Sequence, residues 1–392
     1  MHQTAALAAH ELVVRAERLV PELRARGPEA DRIGQLPDAT IADYEAAGLL
    51  GAMMPAEVGG LEIDLRTFAA ITRALARGDA SSGWIGGFLI SHSWLLAKFG
   101  AEAQDEIFAG RTWVPAAAAA APPGRAERVA GGYEITGRWR FASGIMHSEW
   151  VVLMAASDQG PLSCAVPVES VTIHKTWDVP GMKGTGSNDV EAVKLFVPEY
   201  RALGLAEASG SDCPGGKLFD YPLLRYPMHR VLPLIHPVVA LGTADAALEL
   251  FREGIGNRVR PQTGGPLADE PTVQQVYGEA AQLVRTAELV LGDAVDIIMA
   301  AYEPGRAEPT LEKRAELNLA VTYAGVTAFE AVDLLIRASG ASIHRTGHPM
   351  DRICRDTQVM RNHGMLDWKY VSSVSGRALL GRGLGAHNET LF

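Results

Sequence analysis

The sequence predicts a mainly helical fold with one small β domain in the middle of the chain. Apolar residues recur at helical spacing before about residue 112 and again after about residue 216. Between these regions, short runs with strand character are separated by Gly, Pro, Asn and Asp. We therefore expect an N-terminal helical domain over 1–112, a β domain over 113–215 and a C-terminal helical bundle over 216–392.

The N-terminal region contains four segments with helical periodicity, divided by turn residues. They cover residues 5–23, 39–50, 65–76 and 82–99. The first carries Glu11 and Glu17 inside its apolar pattern, which predicts an amphipathic helix rather than a signal peptide. No stretch of about 18 uncharged apolar residues occurs, so we expect no membrane span.

The middle region contains five runs typical of strands. They read YEITGRWRF, EWVVLMAAS, LSCAVPV, TIHKTWDV and VEAVKLFVP. Their turn-rich spacing predicts a compact antiparallel β domain. The segment PPGRAERVAGGYEITG predicts a hairpin entered through a Pro-Pro-Gly corner.

The C-terminal region contains four periodic segments, each long enough for a bundle helix. They begin VVALGTADAAL, TVQQVYGEAAQ, LEKRAELNLAV and MDRICRDTQVM, and the last is expected to be one helix as far as RALLG. The order of helical, β and helical regions has no βαβ alternation. No G-x-G-x-x-G follows a strand, so no nicotinamide-binding Rossmann domain is predicted.

Charge and cysteine usage narrow the class of protein. The 392-residue chain has 36 basic and 46 acidic residues, a net charge of −10, and no basic stripe that would favour nucleic acid. Its three cysteines are few and far apart, which argues against a disulfide scaffold and favours a cytoplasmic protein. His344 and His348 lie four residues apart, but Gly347 and Pro349 break a helix there and no third ligand stands out. No metal site is therefore predicted.

Four motifs occur in an order that resembles one known family. GRWRFASGIMHSEWVVLMA, GMKGTGSNDVEAVKLFVP, VVALGTADAAL and HPMDRICRD follow one another along the chain. In the first, Phe141, Ser143 and Trp150 match a flavin-contacting strand of the acyl-CoA dehydrogenases. The resemblance covers most of the chain. It implies an N-terminal helical domain, a central antiparallel β-barrel and a C-terminal four-helix bundle.

The sequence departs from the dehydrogenases where many of them carry their catalytic base. The glutamate expected two residues before the proline of HPMDRICRD is replaced by Gly347, which has no side chain to remove a proton. The Ala-rich stretch PAAAAAAPP also replaces a flavin- and substrate-contacting motif of that family. Both changes weigh against an acyl thioester substrate.

Local motifs resemble a sister group, the two-component flavin monooxygenases. These are GGYEITGRWRFASG, GTGSNDV, Ala338-Ser339-Gly340, and Arg355-Asp356 followed by His363. The resemblance implies an oxygenase component that uses reduced FMN or FAD from a separate NAD(P)H-dependent flavin reductase. It implies reaction with O2 through a flavin C4a-hydroperoxide, hydroxylation of a small aromatic or heteroaromatic substrate, and assembly as a homotetramer.

Three residues are predicted to be catalytic. Ser143 lies in a tight F-A-S-G corner, and the resemblance implies its contact with flavin N5. His92 lies in an apolar helical segment that the resemblance places beside the substrate. His363, expected on the last helix on one face with Asp356 and Met360, is implied to handle a proton. We also hypothesise that Asp367 orients the His363 ring.

The remaining predictions concern cofactor binding. The small residues of the 184–188 loop could let backbone amides approach a phosphate or the flavin edge. Trp177 is expected to cover the flavin ring, and Arg258 is a candidate partner for the flavin phosphate. The predicted cofactor-binding residues are Phe141, Ser143, Gly144, Trp177, Gly184, Thr185, Ser187, Arg258, Ser339 and Gly340.

Three alternatives stay open at this point. An acyl-CoA dehydrogenase with a relocated base would bleach its FAD with an acyl-CoA. A sulfur- or nitrogen-oxygenating member of the monooxygenase group would share every motif quoted. A flavin-free scaffold of the same fold would not retain reduced flavin.

Overall fold

The computed structural model describes residues 2–385 apart from 211, 257, 261–263, 304 and 307, with the backbone alone for 2–9. The helices before the sheet are α1 (His2–Ile33), α2 (Asp38–Ala46), α3 (Leu65–Gly78), α4 (Ala80–Leu96) and α5 (Ala101–Phe108). The first helix extends beyond the predicted segment and continues through Pro21 and Pro28. Leu23 and Ala30 are buried there, and their packing offsets the helix-breaking tendency of the prolines.

The central region forms a seven-stranded sheet in the order β5-β6-β2-β1-β3-β4-β7. The strands are β1 (Ala116–Val129), β2 (Gly132–Ala142), β3 (Trp150–Ser157), β4 (Gly160–Pro167), β5 (Thr172–His174), β6 (Asn188–Pro198) and β7 (Ala202–Gly204). In the part of the chain described, β5 and β7 are open edges. The expectation of a closed barrel is therefore wrong.

One strand pair also departs from the predicted antiparallel arrangement, because β1 and β3 run parallel. The connection after β2 carries the chain past the first residue of β1, where the Glu149 N–H donates to the Pro115 carbonyl at 2.8 Å. Strand β3 then begins with Trp150 beside Ala116. The predicted β1–β2 hairpin is present, with Val129 paired to Gly132.

The helices after the sheet include three long ones that pack on one another. These helices are α6 (Leu205–Ser209), α7 (Pro214–Leu218), α8 (Met228–Val231), α9 (Ile235–Gly256), α10 (Pro271–Ala301), α11 (Leu311–Ser339), α12 (Pro349–Met360) and α13 (Trp368–Leu379). Helices α9, α10 and α11 contact one another, and α13 lies against α11. Two segments, Met228–Gly256 and Leu311–Ser339, are apolar and long enough to cross a membrane, but 78% and 56% of their most apolar windows are buried in the protein.

The predicted last helix is two helices, which corrects the sequence-based expectation. Helix α12 ends at Met360 and α13 begins at Trp368. The His363 ring accepts from the Met365 N–H, and the Asp367 carboxylate accepts from the Tyr370 N–H at 3.1 Å. Side chains that bond to nearby backbone N–H groups compete with helix continuation, so both residues begin new turns.

Helix α4 occupies the centre of the molecule. The helices that precede the sheet along the chain and those that follow it share one hydrophobic core. A second, separate core lies on one face of the sheet. Nearly every residue of α4 is buried, and the helix contacts α3, α9 and β1. A helix that is apolar all round is expected in such a position. It places Trp84, Phe88 and His92 between the sheet and the C-terminal helices.

Candidate active site

The corner after β2 has a backbone shape that exposes one serine hydroxyl. Phe141 and Gly144 both have positive φ, 62° and 76°. A Cβ at Gly144 would lie in contact with Ile85 Cδ1 at 3.4 Å, and the positive φ would strain any larger residue there. The Ser143 side chain between them is half-buried.

The Ser143 hydroxyl is the first of three linked hydroxyls. Trp84 Nε1 donates to Ser143 Oγ at 3.2 Å, and Ser143 Oγ lies 2.8 Å from Ser187 Oγ. Ser187 Oγ lies 2.7 Å from Thr185 Oγ1, which donates to the Met182 carbonyl at 2.8 Å. The corner is thereby tied to α4 on one side and to the 182–188 loop on the other.

An aromatic surface lies next to this corner. The Phe141 side chain is 60% exposed and meets Trp177 edge to face, with ring centroids 5.9 Å apart. Trp177 is held by its Nε1–H, which donates to the Met182 carbonyl at 2.9 Å, and by its backbone N–H, which donates to the Asn188 side chain. Two aromatic rings beside a polar corner fit a planar ligand with a polar edge, such as a flavin.

Five rings from three parts of the chain form a ring cluster: Trp84, Phe88, His92, His236 and His363. Trp84 meets His363 edge to face at 5.4 Å and His236 at 4.9 Å. Phe88 stacks on His92 at 4.8 Å. Since Trp84 also donates to Ser143, one indole joins the ring cluster to the corner.

His92 is a neutral imidazole with a fixed tautomer. Its Nδ1 lies 3.0 Å from the Ala116 carbonyl, which can only accept, so the proton is on Nδ1. Burial lowers the pKa of His92 to about 4. At neutral pH, Nε2 therefore carries a lone pair and can accept a hydrogen bond.

His363 has the opposite tautomer. Its Nδ1 accepts from the Met365 N–H at 3.3 Å, which places the proton on Nε2. Burial lowers the pKa of His363 to about 4, so the ring is neutral and Nε2–H is a donor. The side chain lies after α12 and not on the helical face that we expected to contain Asp356 and Met360.

His236 is a site residue that sequence reasoning missed. It lies in the first turn of α9, where Nδ1 bonds to the Pro233 carbonyl at 3.0 Å and burial holds the pKa well below its usual range. Its ring stacks on that of His363. The only signal available was a histidine inside the apolar run VLPLIHPVVAL.

Comparison with known proteins gives the family. Residues 13–116 match the acyl-CoA dehydrogenase N-terminal domain, and residues 234–368 match the acyl-CoA dehydrogenase C-terminal domain. The chain is 30% identical over 359 residues to the flavin-dependent monooxygenase oxygenase subunit HsaA of Rhodococcus jostii, covering 90% of this chain and 94% of that protein. That relative decides between the dehydrogenases and their sister group.

The chain belongs to the flavin-dependent monooxygenases that have the acyl-CoA dehydrogenase fold.

Two further relatives agree with this assignment. The chain is 28% identical to the FADH2-dependent resorcinol hydroxylase, oxygenase component, of Rhizobium sp., over 94% of both chains. It superimposes on the structure of XiaF from Streptomyces sp. in complex with FADH2 and glycerol with a TM-score of 0.89, 27% identity and 99% of each chain covered. This monooxygenase is an oxidoreductase with a reduced flavin cofactor, and the expected family, activity and cofactor are confirmed.

The other residues predicted to contact flavin in this monooxygenase lie in two places. A Cβ at Gly184 would lie 2.9 Å from the Ser81 Cβ, so the loop packs closely on α4 at that point. Arg258 donates from Nη1 to the Ser339 carbonyl at 2.8 Å, beside Gly340 at the C-terminal end of α11. The roles of Gly184, Arg258, Ser339 and Gly340 toward flavin stay predictions, as do those of the other predicted site residues.

The monooxygenase uses Asp356 and Asp367 structurally. Asp356 is buried and accepts from the Met182 N–H at 2.5 Å, so it anchors the 182–188 loop to α12. Burial, together with the nearby Asp79 carboxylate, raises the pKa of Asp356. Asp367 accepts from the Tyr370 N–H and begins α13, while the His363 Nδ1 accepts from the Met365 N–H.

Proposed function

We propose that the chain uses reduced FMN or FAD, delivered by a separate NAD(P)H-dependent flavin reductase, and O2 to hydroxylate a small aromatic or heteroaromatic substrate. One observation carries the proposal: Trp84 donates to Ser143 and also packs on His363. A polar corner beside two aromatic rings and a set of neutral imidazoles are thereby joined through one side chain. Reduced flavin, when bound, supplies the electrons that activate O2.

The two predicted catalytic histidines have complementary roles in this proposal. His363 offers an Nε2–H donor, and His92 offers an Nε2 acceptor, because their Nδ1 atoms are engaged in opposite senses. We assign His92 to accept from the substrate hydroxyl or ring N–H. We assign His363 to donate to the oxygen being transferred. A fixed tautomer reduces the reorganisation that each proton transfer requires.

The substrate class follows from the rings of the site. Phe88 stacks on His92 with an interplanar angle of 22°, which leaves a planar aromatic framework around the imidazole. Aromatic surfaces favour an aromatic substrate through offset and edge-to-face contacts. A hydrogen-bond donor on its ring would pair with His92 Nε2. Phenols and indoles meet both conditions.

The test is hydroxylation under ¹⁸O2 with a flavin reductase, NADH and a panel of phenols, indoles and thioethers. We expect one ¹⁸O atom per product on a ring carbon. A product that carries oxygen on sulfur or nitrogen would favour the alternative group of monooxygenases. If acyl-CoA thioesters bleach the bound FAD and no substrate gains oxygen, the chain is a dehydrogenase and the proposal is wrong.

We also propose that the chain is a soluble, cytoplasmic homotetramer whose long C-terminal helices form a four-helix bundle. Exposed apolar side chains support an oligomer, since Leu289 is 53% exposed and Leu380 is 79% exposed. Light scattering of the purified protein tests the tetramer.

The same proposal includes the division of the chain into domains over 1–112, 113–215 and 216–392. It also includes binding of the flavin phosphate by Arg258, with Ser339 and Gly340 beside it.

A further inference from the structure

The three linked hydroxyls, which we call the hydroxyl relay, have one proton each. The relay comprises Ser143, Ser187 and Thr185, and its two ends meet groups that cannot change role. At one end the Trp84 indole can only donate, at 3.2 Å from Ser143 Oγ. At the other end the Met182 carbonyl can only accept, at 2.8 Å from Thr185 Oγ1.

These fixed ends decide the direction of every hydrogen bond between them. Two oxygens 2.8 Å apart repel unless a proton lies between them, so the Thr185 hydroxyl donates to Met182. Thr185 must then accept from Ser187, which lies 2.7 Å away. Ser187 must in turn accept from Ser143 at 2.8 Å. The Ser143 proton is thus committed to Ser187.

Ser143 is consequently left with one lone pair and no free proton. One of its two lone pairs accepts from Trp84, and the other is available to a ligand. Ser187 and Thr185 are 3% and 2% exposed, so water does not offer them other partners. In reduced flavin, N5 carries a hydrogen and donates. In oxidised flavin, N5 has only a lone pair and accepts.

We propose that Thr185 and Ser187 are positioning residues that make Ser143 a hydrogen-bond acceptor, and that the site thereby prefers reduced flavin to oxidised flavin. This inference rests on the proposed function, in which Ser143 meets the polar edge of flavin. N5 of oxidised flavin would meet Ser143 Oγ, which has no proton left to donate to it. An oxygenase served by a separate reductase gains from this, because spent cofactor is then released in exchange for reduced cofactor.

The test measures the dissociation constants of FADH2, anaerobically, and of FAD by ultrafiltration, without turnover. In the wild-type protein we expect FADH2 to bind more tightly than FAD. In Ser187→Ala the Ser143 proton is freed to donate to N5 of oxidised flavin. The dissociation constant of FAD divided by that of FADH2 should therefore fall by about three- to tenfold, the value of one net hydrogen bond. Thr185→Val should shift the ratio in the same direction.

Thr185→Ser is the matched control, because it keeps the hydroxyl and should keep the wild-type ratio. A loss of folding would weaken binding of both flavin forms and leave the ratio unchanged. An equal ratio in wild type and Ser187→Ala, with both flavins still bound, overturns the inference and leaves the proposed function intact. If the wild-type protein binds neither form, the proposed function itself fails.

Discussion

The rings of His236 and His363 stack with their centroids 4.1 Å apart and their planes 27° from parallel. His363 lies between helices α12 and α13, where its Nδ1 accepts from the Met365 N–H. The buried His236 ring is itself held by the Pro233 carbonyl and by an edge-to-face contact with Trp84. We infer that α9 orients the proposed donor through this stack.

Replacement of His236 tests the stack. His236→Phe keeps a flat ring under His363 and should retain most of the hydroxylated product per NADH consumed. His236→Ala leaves a void, should cost about 2–4 kcal/mol of stability, and should release more hydrogen peroxide per NADH because His363 is no longer oriented. Peroxide and product assays distinguish the two variants. If both variants form the same amount of hydroxylated product per NADH consumed, stacking on His236 does not orient His363.

Acid should destabilise the protein through its buried histidines. Burial lowers the pKa of His92 and His363 to about 4, below the ~6.5 of an unfolded chain. At these rings the unfolded state therefore binds more protons below pH 6.5, and their contribution to stability falls as the pH drops, by up to about 1.4 kcal/mol per pH unit for each ring. Urea unfolding between pH 7 and 5 measures the slope. His236→Phe should make the slope of stability against pH shallower, since burial also depresses the pKa of His236. An unchanged slope would contradict a contribution from the buried histidines.

The indole N–H of Trp84 should matter for flavin binding. Trp84→Phe keeps a ring beside His363 but removes the donor to Ser143, and should weaken FADH2 binding by about three- to tenfold. Trp94→Phe is the matched control on the same helix, since Trp94 Nε1 donates to the buried Leu223 carbonyl at 3.3 Å. Both variants lose one hydrogen bond, and only Trp84→Phe should change the dissociation constant of FADH2. A similar change in both would indicate a general effect on folding.

Asp367 should affect stability and not chemistry. Its carboxylate caps α13, so Asp367→Ala should cost about 1 kcal/mol, while Asp367→Asn should cost less because asparagine also caps helices. Product formed per folded molecule should equal that of the wild type in both. A large fall in hydroxylation by stable Asp367→Asn would restore our initial hypothesis that this residue orients His363.

Local sequence was sufficient for most of the helices and strands and for the tight corner that carries Ser143. Periodicity predicted helices on both sides of a strand-rich region because each element shows its own repeat along the chain. The GRWRFASG segment located Ser143 because a tight turn after a strand depends on nearby residues, and Gly144 indeed has a positive φ. The resemblance based on ordered motifs gave the family, which the relatives confirm.

The tertiary structure decided what no local pattern contains. The parallel pairing of β1 with β3 depends on where the chain passes β1 after its hairpin, and the open edges depend on which strands meet. The place of His236 depends on α9 lying beside the segment after α12, more than 100 residues away in sequence. The tautomers of the histidines and the direction of the hydroxyl relay follow from single backbone carbonyls and N–H groups. Sequence determined which groups this monooxygenase possesses, and only packing decided which of them donate and which accept.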